Sequence, residues 1–127
     1  MSFTQQTNGG VVFHTADAFS SAGGIAHGFA TRIGGVIAAP FDTLNLGMTR
    51  RDDPQDVLEN YRRFCAVLGT DVDHLVMTHQ VHQDTILEAK PEHVLEALLE
   101  PIGYDTDGLI TDIPGLCLTI YYADCIP

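Results

Sequence analysis

Residues 53–69 carry a start signal, an amphipathic repeat and a stop signal in sequence, and no other stretch of the 127-residue chain is so closely specified. Asp53 is a good N-cap, Pro54 suits the first helical position, and Asp56 adds negative charge to the first turn. Val57, Tyr61, Phe64, Cys65 and Leu68 recur at helical spacing and make one apolar face. Arg62 and Arg63 fall in the later turns, where cations suit the helix dipole, and Gly69 is a natural stop. The spacing predicts a helix over 54–68 with an apolar face that needs a partner layer.

Short strand candidates supply that layer. They fall at residues 11–13, 25–31, 75–77, 85–87, 108–111 and 116–122, with a second, shorter helix over 91–99. The run Leu116-Cys117-Leu118-Thr119-Ile120-Tyr121-Tyr122 is almost continuously apolar, which suits a strand covered on both faces. Residues 1–10 are polar, end in Gly9-Gly10 and read as a loose leader. Residues 17–24 read as a polar turn, and 34–49, rich in Gly, Pro and Asn, as a long loop of the kind that is usually functional or disordered. The expectation is an α/β (mixed α+β) fold: a layered mixed β-sheet with flanking helices in one domain over 1–127. Because the chain stops just past its most apolar strand, it reads as the front part of a longer domain.

Charge narrows the function. Six basic against 17 acidic side chains give −11, although charged residues are only 18% of the chain. That balance repels phosphate backbones and anionic lipid surfaces, so nucleic-acid and membrane-surface binding are not expected. An anionic substrate would have to be captured locally, against the field of the whole protein. Cys65, Cys117 and Cys125 are an odd count without framework spacing, and the N-terminus lacks a basic and an apolar signal region. The expected setting is reduced and cytoplasmic.

Three segments carry candidate chemistry. His79 and His82 lie three apart in Thr78-His79-Gln80-Val81-His82-Gln83. On a helix that spacing would aim both rings at one metal, whereas on the strand or strand end expected here they point to opposite faces. Cys125 follows the apolar strand, where α/β sheets commonly present functional groups. A thiol of pKa ~8.5 is only about 3% thiolate at neutral pH and needs a histidine or a metal to act. Cys125 with His82 would therefore make a Zn²⁺ site or a Cys–His nucleophile pair, against the plain reading of an inert buried thiol that also suits Cys65 and Cys117. Thr31-Arg32-Ile33-Gly34-Gly35 sets a guanidinium beside paired glycines, whose N–H groups would form an anion nest; a turn with a solvated arginine is the even alternative. His14, His27, His74 and His93 read as structural or surface residues.

In order and spacing these segments resemble one family. They are His27-Gly28-Phe29-Ala30-Thr31-Arg32-Ile33-Gly34-Gly35, Leu44-Asn45-Leu46-Gly47, Asp52-Asp53-Pro54 on to Asn60, Gln80-Val81-His82, Thr106-Asp107-Gly108-Leu109-Ile110-Thr111, Pro114-Gly115 and Ala123-Asp124-Cys125-Ile126-Pro127. From about residue 25 to the last, the chain resembles the laccase-domain family, also called multicopper polyphenol oxidase-like, YfiH-like or peptidoglycan editing factor-like. The resemblance implies one Zn²⁺ (alternatively Cu) held by His82, Cys125 and a later histidine in a His-Ala-Gly-Trp-Arg-Gly-like motif that this sequence does not reach. It makes His82 and Cys125 the catalytic pair, and adds Asn45 and Asp107 to Arg32, Gly34 and Gly35 as substrate- and phosphate-binding residues. Gln83 departs from the pattern, which usually has glycine after the motif histidine.

The implied activity is purine nucleoside phosphorolysis of adenosine, inosine and methylthioadenosine, with adenosine deamination alongside. A cysteine hydrolase or amidase of peptidoglycan-precursor type ranks second and a copper-dependent phenol oxidase third. A full multicopper site needs more histidines than the six present. A non-catalytic fragment that takes its missing ligand from a partner, another segment or a second copy is a further alternative.

Overall fold

The computed structural model describes residues 2–40, 43–48, 52–98 and 100–122. Strands and helices mix along the chain, and contacts divide it into two compact units, Met1–Asp71 and Val72–Pro127.

The first unit begins with a hairpin rather than a loose leader. β1 (Phe3–Asn8) pairs antiparallel with β2 (Val11–Ala16), from Asn8↔Val11 at the turn to Phe3↔Ala16 at the open end. Gly9 and Gly10, at φ 55° and 83°, are the two central residues of the turn, a conformation that Gly-Gly adopts without a Cβ penalty. Every residue of β1 is exposed, so it never shows the inward–outward alternation by which a strand is normally recognised. A short helix, α1 (Asp17–Ala22), replaces the expected polar turn. Of the strand expected over 25–31, only β3 (Phe29–Ala30) pairs with β2. Upstream, the Ala16 N–H donates 2.9 Å to His27 Nε2, so a side chain takes the place of a ladder bond.

α2 (Pro54–Leu68) has the bounds that its sequence signals predict. The Asp53 carboxylate accepts from the Gln55 N–H at 2.8 Å, and Gly69 closes the helix in the left-handed region at φ 76°. Phe64, Val67 and Leu68 pack against Val11, Phe13 and Leu44, with the Phe13 and Phe64 rings edge to face at 6.2 Å.

The second unit holds two parallel two-stranded sheets. β4 (Leu75–Met77), wholly buried, pairs with β7 (Cys117–Thr119) in the register Val76↔Leu118. β5 (Ile86–Glu88) pairs with β6 (Gly108–Ile110) in the register Leu87↔Leu109. The run over 116–122 is covered on one face only: Cys117, Thr119 and Tyr121 are half-buried, while Leu118, Ile120 and Tyr122 are exposed. The helix expected over 91–99 stops after one 3₁₀ turn, Pro91–His93. The His93 carbonyl, which a continuing helix would give to the residue-97 N–H, instead faces the Tyr104 hydroxyl at 3.5 Å, and the two rings pack edge to face. Among the described residues, no helix is long and apolar enough to cross a membrane.

Candidate functional site

Arg32, Gly34, Gly35 and Asn45 lie in the first unit, where the loop after β3 crosses itself. The Arg32 carbonyl accepts from the N–H groups of Thr43 and Leu44 at 2.7 and 2.9 Å, and the Arg32 side chain is exposed. The N–H groups of Gly34 and Gly35 converge as a nest should, but both donate to Thr43 Oγ1 at 3.0 Å. The chain's own hydroxyl thus occupies the position expected for an anion. The glycines serve close approach: a Cβ on Gly34 would overlap Val11 Cα and the Gly10 carbonyl, and one on Gly35 the Thr43 carbonyl and Asn60 Oδ1.

Asn45, expected to bind substrate, has both ends of its amide committed. Nδ2 donates to Asp52 Oδ2 at 2.6 Å and Oδ1 accepts from the Gly47 N–H at 3.0 Å. The residue at the centre of this crossing is Asn60, fully buried on α2. Its Oδ1 accepts from the Val36 N–H at 2.9 Å, while Nδ2 donates to the Thr43 and Asn45 carbonyls at 3.0 and 2.9 Å. At the next residue, the Tyr61 hydroxyl donates to the Leu46 carbonyl at 2.7 Å. A polar residue on the apolar face of an amphipathic helix is the signal that would have singled out Asn60.

His79, His82 and Asp107 lie together in the second unit. The stretch 79–83 is a loop between β4 and β5, not a strand, so the opposite-face argument for the two histidines does not apply. His82 has φ 60°, and it is the one described residue other than glycine in the left-handed region. Asp107 Oδ1 accepts from the N–H groups of Val81 and His82 at 3.0 and 2.7 Å, and Oδ2 accepts from Gln83 at 2.9 Å. Desolvation pushes the Asp107 carboxyl up, but those three amides and the neighbouring His82 together outweigh it and hold the group below its ordinary value. His79 Nδ1 lies 2.8 Å from Asp105 Oδ1, with both side chains more than half exposed.

Cys125 falls outside the described residues. Neither Cys65, which is buried, nor Cys117 is in a disulfide, and desolvation raises the Cys117 thiol more than the Thr119 hydroxyl lowers it, which keeps Cys117 protonated. Among the described residues, no three His, Cys, Asp or Glu side chains gather closely enough to hold a metal ion. His82 does fit the part of a single donor: its main chain is fixed, its ring is exposed, and nothing among the described residues bonds to its ring nitrogens.

Comparison with known proteins gives a consistent set of relatives. The family described as multi-copper polyphenol oxidoreductase laccase matches residues 26–127. The chain is similar to the purine nucleoside phosphorylase of Mycobacterium tuberculosis, 43% identical over 98 residues, which is 76% of this chain and 36% of that protein. A purine nucleoside phosphorylase of Pseudomonas aeruginosa is 43% identical over 97 residues, covering 76% of this chain and 35% of that one. Among solved structures, YlmD from Geobacillus stearothermophilus superposes with a TM-score of 0.80 at 32% identity, over 97% of this chain and 45% of that chain. YfiH from Bacillus licheniformis gives 0.70 at 34% identity, over 77% and 38%. The chain therefore spans a little over a third of the curated relatives' length and under half of the solved ones.

Proposed function

The chain belongs to the multi-copper polyphenol oxidoreductase laccase family, and on that footing we propose that the protein is a purine nucleoside phosphorylase acting on adenosine, inosine and methylthioadenosine, with adenosine deamination as a second activity. The observation that carries the reading is the run of relatives, 34–43% identical, that bear the phosphorylase name. In the reaction, the bond from the ribose C1′ to the purine N9 breaks, its electron pair leaves with the base, and a phosphate oxygen takes its place on C1′.

Phosphate needs positive charge in a chain of net −11, and Arg32 provides a planar guanidinium suited to a tetrahedral anion. Since Thr43 engages the amides of Gly34 and Gly35, recognition of the anion falls to the Arg32 side chain. Asn45 shapes the same loop through Asp52 and Gly47 rather than through the ligand. His82 and Cys125, with one further histidine, would hold Zn²⁺, with Cu the other candidate, and such a site would supply Lewis acidity for the deamination. A reduced cytoplasmic setting belongs to the same reading, because it keeps Cys125 available as a ligand.

The test is phosphate-dependent release of adenine and hypoxanthine from adenosine and inosine by the purified full-length protein. Free base should appear together with ribose 1-phosphate, and Arg32→Ala should raise the KM for phosphate about tenfold or more. Release of base without phosphate would indicate a hydrolase. No release of either base would overturn the reading.

A further inference from the structure

We infer that Asp107 is a positioning residue for His82: its carboxylate gathers three successive backbone amides, holds His82 in a left-handed conformation and so presents the imidazole as a metal donor. This deepens the zinc reading above and rests on it.

The argument begins with the backbone. A residue with a Cβ pays a steric cost at φ 60°, and such a conformation persists only where its surroundings over-determine it. Here they do. Asp107 accepts from Val81, His82 and Gln83 at 3.0, 2.7 and 2.9 Å, so three consecutive N–H groups converge on one carboxylate in the manner of an anion nest. The neighbouring residues secure both flanks of the loop. The Thr106 N–H donates to the His79 carbonyl at 3.1 Å. On the other side, the Asp107 and Gly108 N–H groups donate to the Thr85 carbonyl at 2.9 and 3.1 Å, and Thr106 Oγ1 donates to the Gly108 carbonyl at 2.7 Å. Thr106 is itself fully buried, so this template is anchored in the second unit and not laid on its surface.

The arrangement also separates two tasks. Both Asp107 oxygens are spent on the loop backbone, which leaves the carboxylate little capacity to bind a nucleoside. His82 is its mirror image, with its main-chain N–H committed and its ring exposed. Fixing a histidine through its backbone cuts the conformational freedom lost when the ring binds a metal, the effect normally supplied by hydrogen bonds to the ligand side chain itself. Gln83 fits this account: the residue in the left-handed region is His82, so the position after it does not need glycine.

The experiment uses the full-length protein and zinc alone, with affinity measured by competition against a chelator and the amide resonances of residues 81–83 followed in metal-free protein. His82→Ala should remove zinc binding; if wild-type protein binds no zinc, or His82→Ala binds it unchanged, the metal reading fails, and the amide resonances alone then decide whether Asp107 positions the loop. Asp107→Ala should weaken zinc about 10–100-fold, as loss of a supporting contact to a ligand typically does, and should shift all three amide resonances. Asp107→Asn keeps one oxygen able to accept from Val81 and His82, so it should recover part of the affinity. Tyr104→Phe, which loses the 3.0 Å bond to the Met77 carbonyl, is the control for general destabilisation and should bind zinc as wild type does. Wild-type zinc affinity in folded Asp107→Ala, unchanged amides at 81–83, or equal weakening by Tyr104→Phe would each overturn the proposal. Should Asp107→Ala not fold, Asp107→Asn decides alone, with wild-type affinity counting against.

Discussion

Asn60 is the residue on which the Arg32 loop turns. It is fully buried, and its amide satisfies one N–H and two carbonyls from three separate positions, Val36, Thr43 and Asn45. Truncation removes all three bonds at once and empties a fully buried side-chain position. At about 1 kcal/mol net for each bond, Asn60→Ala should cost roughly 3 kcal/mol, measured as a lower denaturant midpoint with an unchanged slope. A loss below about 1 kcal/mol would mean that water substitutes for the amide. Gly34-Gly35 beside Arg32 has the composition of an anion nest, and the geometry of a nest is indeed present. What fills it is a threonine eight and nine residues further on, and no local pattern reports a partner at that separation. The same holds for Asp107, whose three amide partners lie 24–26 residues upstream.

Elements specified by their own residues were legible, and those specified by contacts were not. α2 carries its N-cap, its first-turn proline, its periodic face and its stop within 17 residues, and the structure reproduces each. The hairpin carries a local signal too, Gly9-Gly10 between two runs of strand-forming residues, but β1 is exposed on both faces and shows no periodicity to reinforce it. The segment 91–99 has helical composition, yet Val94 turns to extended backbone at φ −65° and ψ 130° directly after one 3₁₀ turn, and His93 packs edge to face on Tyr104, so tertiary packing overrides propensity. The hairpin's open end has its own electrostatic clasp. Ser2 Oγ and Thr4 Oγ1 donate to the Asp17 carboxylate, and these bonds, Ser2 first, hold its pKa below 3.8. A carboxyl with a depressed folded-state pKa adds stability that is complete above the unfolded value and is lost as pH falls through the folded one. A Ser2→Ala/Thr4→Val double variant should therefore be less stable than wild type near neutral pH, and the gap should close as pH drops below 3.8. A gap that stays constant with pH, read by thermal unfolding of both proteins, would show that the clasp does not depend on the carboxylate charge.

At the scale of the whole molecule, family membership was legible because it rests on the order of several motifs spread from residue 26 to 127 rather than on any one contact. Burial of the 116–122 run was not, since a near-continuous apolar sequence does not say which layers flank it; here Leu118, Ile120 and Tyr122 remain exposed at 36, 53 and 43%. Net charge acts at this scale as well. Six basic side chains face 17 acidic ones, and two of the pairs among the described residues are weak. Arg63 bonds Glu59 one helical turn away at 3.0 Å, with both about two-fifths exposed, and Lys90 approaches Glu88 only to 4.0 Å. Exposed pairs of this kind contribute under about 1 kcal/mol and cannot offset a surplus of −11. The surplus repels itself in the compact state more than in the expanded unfolded chain, and at ~0.1 M salt that repulsion is screened beyond about 10 Å. The thermal midpoint should therefore rise by roughly a few degrees between low and moderate sodium chloride. Asp112→Lys, at an exposed position, removes one negative charge and adds one positive. It should raise the midpoint at low salt and lose that advantage once salt has screened the rest. If the variant's gain persisted unchanged at high salt, its cause would be a local contact at residue 112 and not the repulsion of the whole chain.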